Sequence, residues 1–109
     1  MIRISKIIWT KSAKSDLQSI INYIYQNDGI LAFKILDDFY SLINSLKTNP
    51  KKGRIVPELE HFNVYIYREL IESPWRIFYK INQDTLFIVA IIDGRRNVED
   101  ILLERLIKR

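Results

Sequence analysis

The sequence predicts an α+β domain. An N-terminal strand and an antiparallel helix hairpin pack on a mainly antiparallel four-stranded sheet, with a short C-terminal helix. Three observations predict it. Apolar residues recur at helical spacing twice between Ala13 and Leu46. From Phe62 to Ile92 the period becomes that of strands. The longest apolar run, TLFIVAII, is β-branched and too short for an ordinary helix, which fits a central strand covered on both faces. The 109 residues make one domain, 1–109, with one modest core.

Each element has its own signal. IRISKIIW reads as a first strand, with Ile2, Ile4, Ile7 and Ile8 as its apolar positions. Thr10 or Ser12 can cap the next helix through a hydroxyl that accepts from free backbone N–H groups. Ala13, Leu17, Ile20, Ile21 and Ile24 form that helix's stripe, and Asn27-Asp28-Gly29 stops it, with Gly29 suited to a left-handed C-cap. Ala32, Ile35, Phe39, Leu42, Ile43 and Leu46 form a second stripe, which ends by Pro50. The short connection between the two implies an antiparallel pair.

KKGRIVPELEHF, residues 51–62, is the least regular stretch, punctuated by Gly53 and Pro57. Loops of that length in small domains are often functional. FNVYIYREL then alternates as a strand, with Phe62, Val64 and Ile66 on one side. Past Pro74, WRIFYKI sends Trp75, Ile77, Tyr79 and Ile81 one way and Arg76, Phe78 and Lys80 the other. Asn82-Gln83-Asp84 supplies a hairpin turn. TLFIVAII ends at Asp93-Gly94, and Arg95-Arg96 follow. Asn97 caps the last helix, whose apolar residues are Ile101, Leu102, Leu103, Leu106 and Ile107.

Composition narrows the function. The chain has no cysteine, which removes disulfides and thiolate chemistry and fits a reducing cytoplasm. No stretch approaches a membrane-spanning length. The formal charge is +4 and the pI about 9.4, so a polyanion or an acidic partner suits the chain. The cations cluster as Lys47, Lys51, Lys52 and Arg54, and as Arg95-Arg96.

A helix hairpin followed by GRIVPEL, REL, PWRIFYKI and an apolar strand running into DGRR resembles the RelE/ParE superfamily, the toxins of type II toxin–antitoxin modules. The resemblance covers essentially the whole chain. It implies a cytoplasmic toxin neutralised by a cognate antitoxin, and it leaves the target open. RelE-like members cut messenger RNA on the ribosome, whereas ParE-like members poison DNA gyrase; the fold is shared.

The first expectation is a ribosome-dependent, metal-independent mRNA endoribonuclease with no cofactor. Such cleavage needs a base for the 2′-hydroxyl, cations for the phosphorane and an acid for the leaving oxygen. By resemblance, Glu58 in VPEL matches a general base. Arg76 matches a catalytic arginine of several members, Arg68 resembles a phosphate-binding arginine of RelE-like members, and Arg96 matches the arginine just after the last strand. All three are catalytic candidates, since the planar guanidinium fork suits phosphate. Lys51, Lys52, Arg54 and Arg95 would bind RNA or the ribosome. These arginines should gather at one solvent-facing concavity.

Two positions depart from the family patterns, and the first favours the gyrase reading. Leu102 stands where RelE carries a tyrosine, and Asp93 where ParE-like members often have histidine. The lone histidine, His61, sits beside the candidate loop. The alternatives are a gyrase inhibitor with no catalytic site, or an inactive homologue that only binds antitoxin. For Arg68 and Arg76 the plain reading is a surface ion pair with Glu69 or Glu72, worth little, and for Arg95 and Arg96 it is antitoxin binding or fixing of the last helix. The antitoxin is expected to be acidic and to fold on the sheet and helix pair. A homodimer or a toxin–antitoxin hetero-oligomer are both open, and no membrane partner is expected.

Overall fold

A computed structural model describes residues 3–107. Chain order is β1 (Lys6–Trp9), α1 (Lys11–Tyr25), α2 (Gly29–Asn44), β2 (Arg54–Ile55), α3 (Pro57–Glu60), β3 (Tyr67–Glu72), β4 (Trp75–Asn82), β5 (Thr85–Asp93) and α4 (Val98–Leu102). A 3₁₀ turn, Ser45–Lys47, extends α2, and a wider π turn, Leu103–Ile107, extends α4.

The sheet runs β1-β5-β4-β3-β2, with β1 parallel to β5 and every other pair antiparallel. It has five strands rather than the expected four. Arg54-Ile55, inside the stretch that reads as a loop, pairs with Arg68 and Glu69 of β3. Two residues carry too little periodicity to be seen in sequence.

The helix hairpin covers one face, where Leu17, Phe39 and Ile43 pack on Ile77, Tyr79, Leu86 and Ile88. The other face is covered in part by α3 and α4, where Leu59, Val98 and Leu102 meet Phe78, Ala90 and Ile92. β5 is thus buried on both sides, which is why its sequence lacks polar alternation.

The doubly buried strand also tolerates a slip in phase. Phe78 pairs with Ala90 but Tyr79 pairs with Ile88, so Val89 is an extra residue. Val89 and Ala90 consequently both join the α3–α4 side. Past this point β1 has ended, and Asp16 of α1 accepts from the Ile91 N–H at 3.0 Å. Arg105 holds Asp16 in turn at 2.6 and 2.8 Å, tying the C-terminal turn to α1.

Local signals were mostly realised. Thr10 caps α1 by accepting from the Ala13 N–H at 3.2 Å, and Asn97 accepts from the Asp100 N–H. Three expectations need correction. Gly29 does not take a left-handed conformation; it is the first residue of α2, capped by Asp28. Residues 62–66 are not strand, because Asn63 turns the chain at φ 63° and β3 begins only at Tyr67. The hairpin turn uses Gln83, at φ 57°, and Asp84, while Asn82 still pairs with Thr85. Ile2 of the first strand lies outside the described residues.

One buried tyrosine ties β2 to the sheet. The Tyr79 hydroxyl donates to the Pro50 carbonyl at 2.8 Å and accepts from the Gly53 N–H at 3.0 Å. Gly53 is required for space: a Cβ there would lie 2.4 Å from the Glu69 carbonyl oxygen and 2.6 Å from the Tyr79 oxygen. Tyr79→Phe should leave the buried Gly53 N–H unpaired and cost about 1–2 kcal/mol, read as a lower urea midpoint at unchanged m.

Candidate functional site

α3 owes its single turn to Pro57, whose fixed φ suits the first helical position, and to Leu59, which is buried on the sheet. This places the Glu58 carboxylate over β4. Arg54 of β2 stands directly opposite Glu69 of β3, and Arg76 of β4 lies diagonal to Glu69 on the same face.

These four side chains form one network. Arg76 meets Glu58 in a bidentate pair, with both bonds at 2.7 Å. Its Nε and Nη2 also donate to Glu69, and Arg54 Nε donates to Glu69 at 2.9 Å. Glu69 is only 1% exposed. Arg76 therefore commits four of its roughly five N–H donors to carboxylates. Its guanidinium also stacks on Phe78, 5.2 Å from the ring centre.

The electrostatics follow from that packing. Hydrogen bonding from Arg76 is the main reason the Glu58 carboxyl sits below its ordinary 4.5. The Glu58 carboxylate in turn raises the Arg76 pKa, and Glu69 adds to the effect. Two cations and two carboxylates leave the cluster with no net charge, which is the wrong balance for stabilising a phosphorane dianion.

The other candidate arginines lie elsewhere. Arg68 is on the opposite sheet face, where its Nη1 donates to the Gly53 carbonyl at 2.7 Å and it lines a groove with Lys51 and Tyr79. Arg96 is exposed and lines a separate groove with Trp75, Asp16 and Asp93. The expected common concavity is thus absent: Arg68, Arg76 and Arg96 occupy three different surroundings. The physical reason is strand alternation, which sends Arg68 and Glu69 to opposite faces.

Residues 7–98 match the family model of the ParE toxin of the type II toxin–antitoxin system, parDE. The chain belongs to the ParE toxin family. It is 28% identical over 98 residues to Toxin ParE3 of Caulobacter vibrioides, covering 85% of this chain and 90% of that protein. The solved chromosomal ParDE toxin–antitoxin system from P. aeruginosa shares the fold, with a TM-score of 0.66 and 22% identity over 83% of this chain and 95% of that one. The protein is therefore a toxin of a type II toxin–antitoxin system, and such a system implies a cognate antitoxin.

The remaining candidates separate in the same way. Arg95 is bound to Asp93 by its backbone N–H and by two guanidinium bonds at 2.9 and 2.6 Å. That contact brings the Asp93 pKa down to about 2. Lys52 donates to the Ser45 hydroxyl at 3.2 Å. His61 is exposed and packs edge-on to Phe62. Leu102 is fully buried against the sheet, so in this ParE-family chain the position serves packing. No helix among the described residues is long and apolar enough to cross a membrane.

Glu69 is the residue whose importance sequence reasoning missed. It reads as a surface partner for an arginine, yet it is the buried centre of the network. Its signal was present: Tyr67, Glu69 and Ile71 share one strand face, and Tyr67 is core. Sequence reasoning also passed over the apolar groove of about 420 Å³ beside the helix hairpin, lined by Trp9, Leu17, Ile21, Leu36 and Tyr40.

Two variants test the network. Arg76→Ala leaves the buried Glu69 carboxylate with Arg54 alone and should cost about 3 kcal/mol or more in urea unfolding. Glu58→Gln probes the pH sign. A carboxyl with a lowered folded pKa stabilises above its unfolded value and loses that contribution as pH falls through the folded one. The stability gap between wild type and Glu58→Gln should be constant above the ordinary 4.5 and close as acid is added below it.

Proposed function

We propose that this toxin stops growth by binding DNA gyrase stoichiometrically, with no catalytic site of its own. The observation that carries this reading is the neutral Arg54–Glu69–Arg76–Glu58 cluster. The arginine best placed for phosphate chemistry already holds two carboxylates, and its bidentate partner is the residue expected to act as base. A base locked in an ion pair with its pKa lowered is a poor acceptor for a 2′-hydroxyl proton. Leu102 adds no acid or stacking group. Membership of the ParE family supports the same target, because ParE-like members of the superfamily poison DNA gyrase.

The antitoxin is assigned to the helix-hairpin side. The groove between Trp9, Leu17, Ile21 and Tyr40 is apolar, and Tyr40 is 46% exposed at its rim. Lys14 stands at the same rim, so an amphipathic helix with acidic flanks fits it.

Purified toxin added to gyrase should abolish supercoiling at near-equimolar ratio and trap cleaved DNA. Induced cells should show DNA damage signalling before any loss of message. Discrete cuts in mRNA on translating ribosomes, abolished in Glu58→Gln, would instead establish the endoribonuclease. For the antitoxin, Tyr40→Ala should weaken binding by about tenfold, the loss of one buried aromatic anchor.

A further inference from the structure

Arginines of this fold mostly meet carboxylates: Arg54 and Arg76 at Glu69, Arg95 at Asp93, Arg105 at Asp16. Arg68 does not. It is half-buried, and its hydrogen-bond partner is the Gly53 carbonyl. No ion pair among the described residues involves it. A partly desolvated guanidinium without a counter-charge is costly in an isolated protein and suits an anion from outside.

The surroundings form a groove. β3 begins at Tyr67, opposite Lys80, whereas β4 continues to Asn82. Beyond Lys80 the β3 side of β4 therefore has no strand partner, and a cavity of about 450 Å³ opens there. That volume is within the ~300–1,000 Å³ of small-ligand sites. Lys51 and Arg68 supply its cations, Tyr65 and Ile66 stand at its rim at 53% and 62% exposure, and no carboxylate lines it. Lys80 forms part of the wall, but its ammonium lies over the Tyr67 and Phe87 rings on the other face.

We propose that this groove binds single-stranded nucleic acid, with a backbone phosphate on Arg68 and Lys51 and a base on Tyr65. Three features favour a phosphodiester strand over an acidic peptide. Lys52 and Lys47 lie close to Lys51 along the chain, which suits a ligand with charge at every repeat. The guanidinium fork matches phosphate oxygens. An exposed tyrosine at the rim offers the π-face that unpaired bases stack on, at about 1–3 kcal/mol per base. A concave pocket at a sheet edge admits one extruded nucleotide more readily than a rigid duplex. The site is on the sheet face opposite the Arg76 network, so it is a binding site and takes no part in cleavage. It does not depend on which enzyme the toxin inhibits.

Anisotropy of a fluorescein-labelled dT10 strand tests this. Full-length toxin should bind at 50 mM salt with Kd in the ~1–100 µM range of non-specific contacts, and two phosphate contacts should make binding about sevenfold weaker at 200 mM. Lys51→Glu and Arg68→Gln should each lose about tenfold, and Tyr65→Ala several-fold. Lys34→Glu and Lys34→Gln, the same changes in charge as Lys51→Glu and Arg68→Gln but on exposed α2, should stay within twofold. Lys51 is exposed, so its variant tests the groove without risk to folding. Four results would overturn the proposal: no binding by wild type at 50 mM salt, wild-type affinity in Lys51→Glu and Arg68→Gln, tighter binding of the matching duplex, or displacement of the strand by poly-glutamate at equal charge.

Discussion

The buried carboxylate of Glu69 is the constraint that organises one half of this protein. Removing a carboxylate from water costs several kcal/mol unless it is paired and hydrogen-bonded. Arg54 and Arg76 meet that need from the two neighbouring strands. Because Arg76 then carries excess donors, it also recruits Glu58 and pins α3 over the sheet. A short strand, a single-turn helix and two central strands are thereby held in one register. The Arg76–Glu69 pair is the best shielded, with side chains 12% and 0% exposed, and a low local dielectric strengthens it.

That solution has a functional consequence. Electrostatic catalysis on phosphate needs cations that are fixed in place yet uncompensated. Here the best-fixed arginine is compensated by two carboxylates, and the less compensated ones, Arg68 and Arg96, are on other surfaces. On this sheet face two cations are matched by two carboxylates, so the charges brace the fold. What the molecule offers to partners is instead surface: an apolar groove beside the helix hairpin and a basic groove at the end of β4. The stoichiometric inhibitor proposed above needs such surfaces more than it needs an acid and a base.

Much of the fold was legible in the chain because its signals are local. Thr10 and Asn97 cap where hydroxyl and amide chemistry says they should. The alternation of WRIFYKI matches the two faces of β4 residue by residue. The misses share a cause as well. Gly29 reads as a helix stop because glycine suits a left-handed cap, but Asp28 beside it capped the following helix instead. Tyr65 and Ile66 have the residues of a strand, yet Asn63 bends the chain and no neighbour pairs with them. Pairing partners lie far along the chain, and periodicity cannot report them.

By itself the sequence determined the helix hairpin, the hairpin of β4 and β5, the doubly covered last strand and the family. Periodicity, caps and turn residues act over a few positions, and the order of motifs adds the rest. Only the tertiary structure decided which charges cancel. Arg68, Glu69 and Arg76 look alike in sequence as polar strand residues. Their meanings come from the face each one occupies and from Glu58 and Arg54, which arrive from elsewhere in the chain. Whether a cation is a catalyst, a brace or a binding site depends on the counter-charge beside it, and folding alone places that counter-charge.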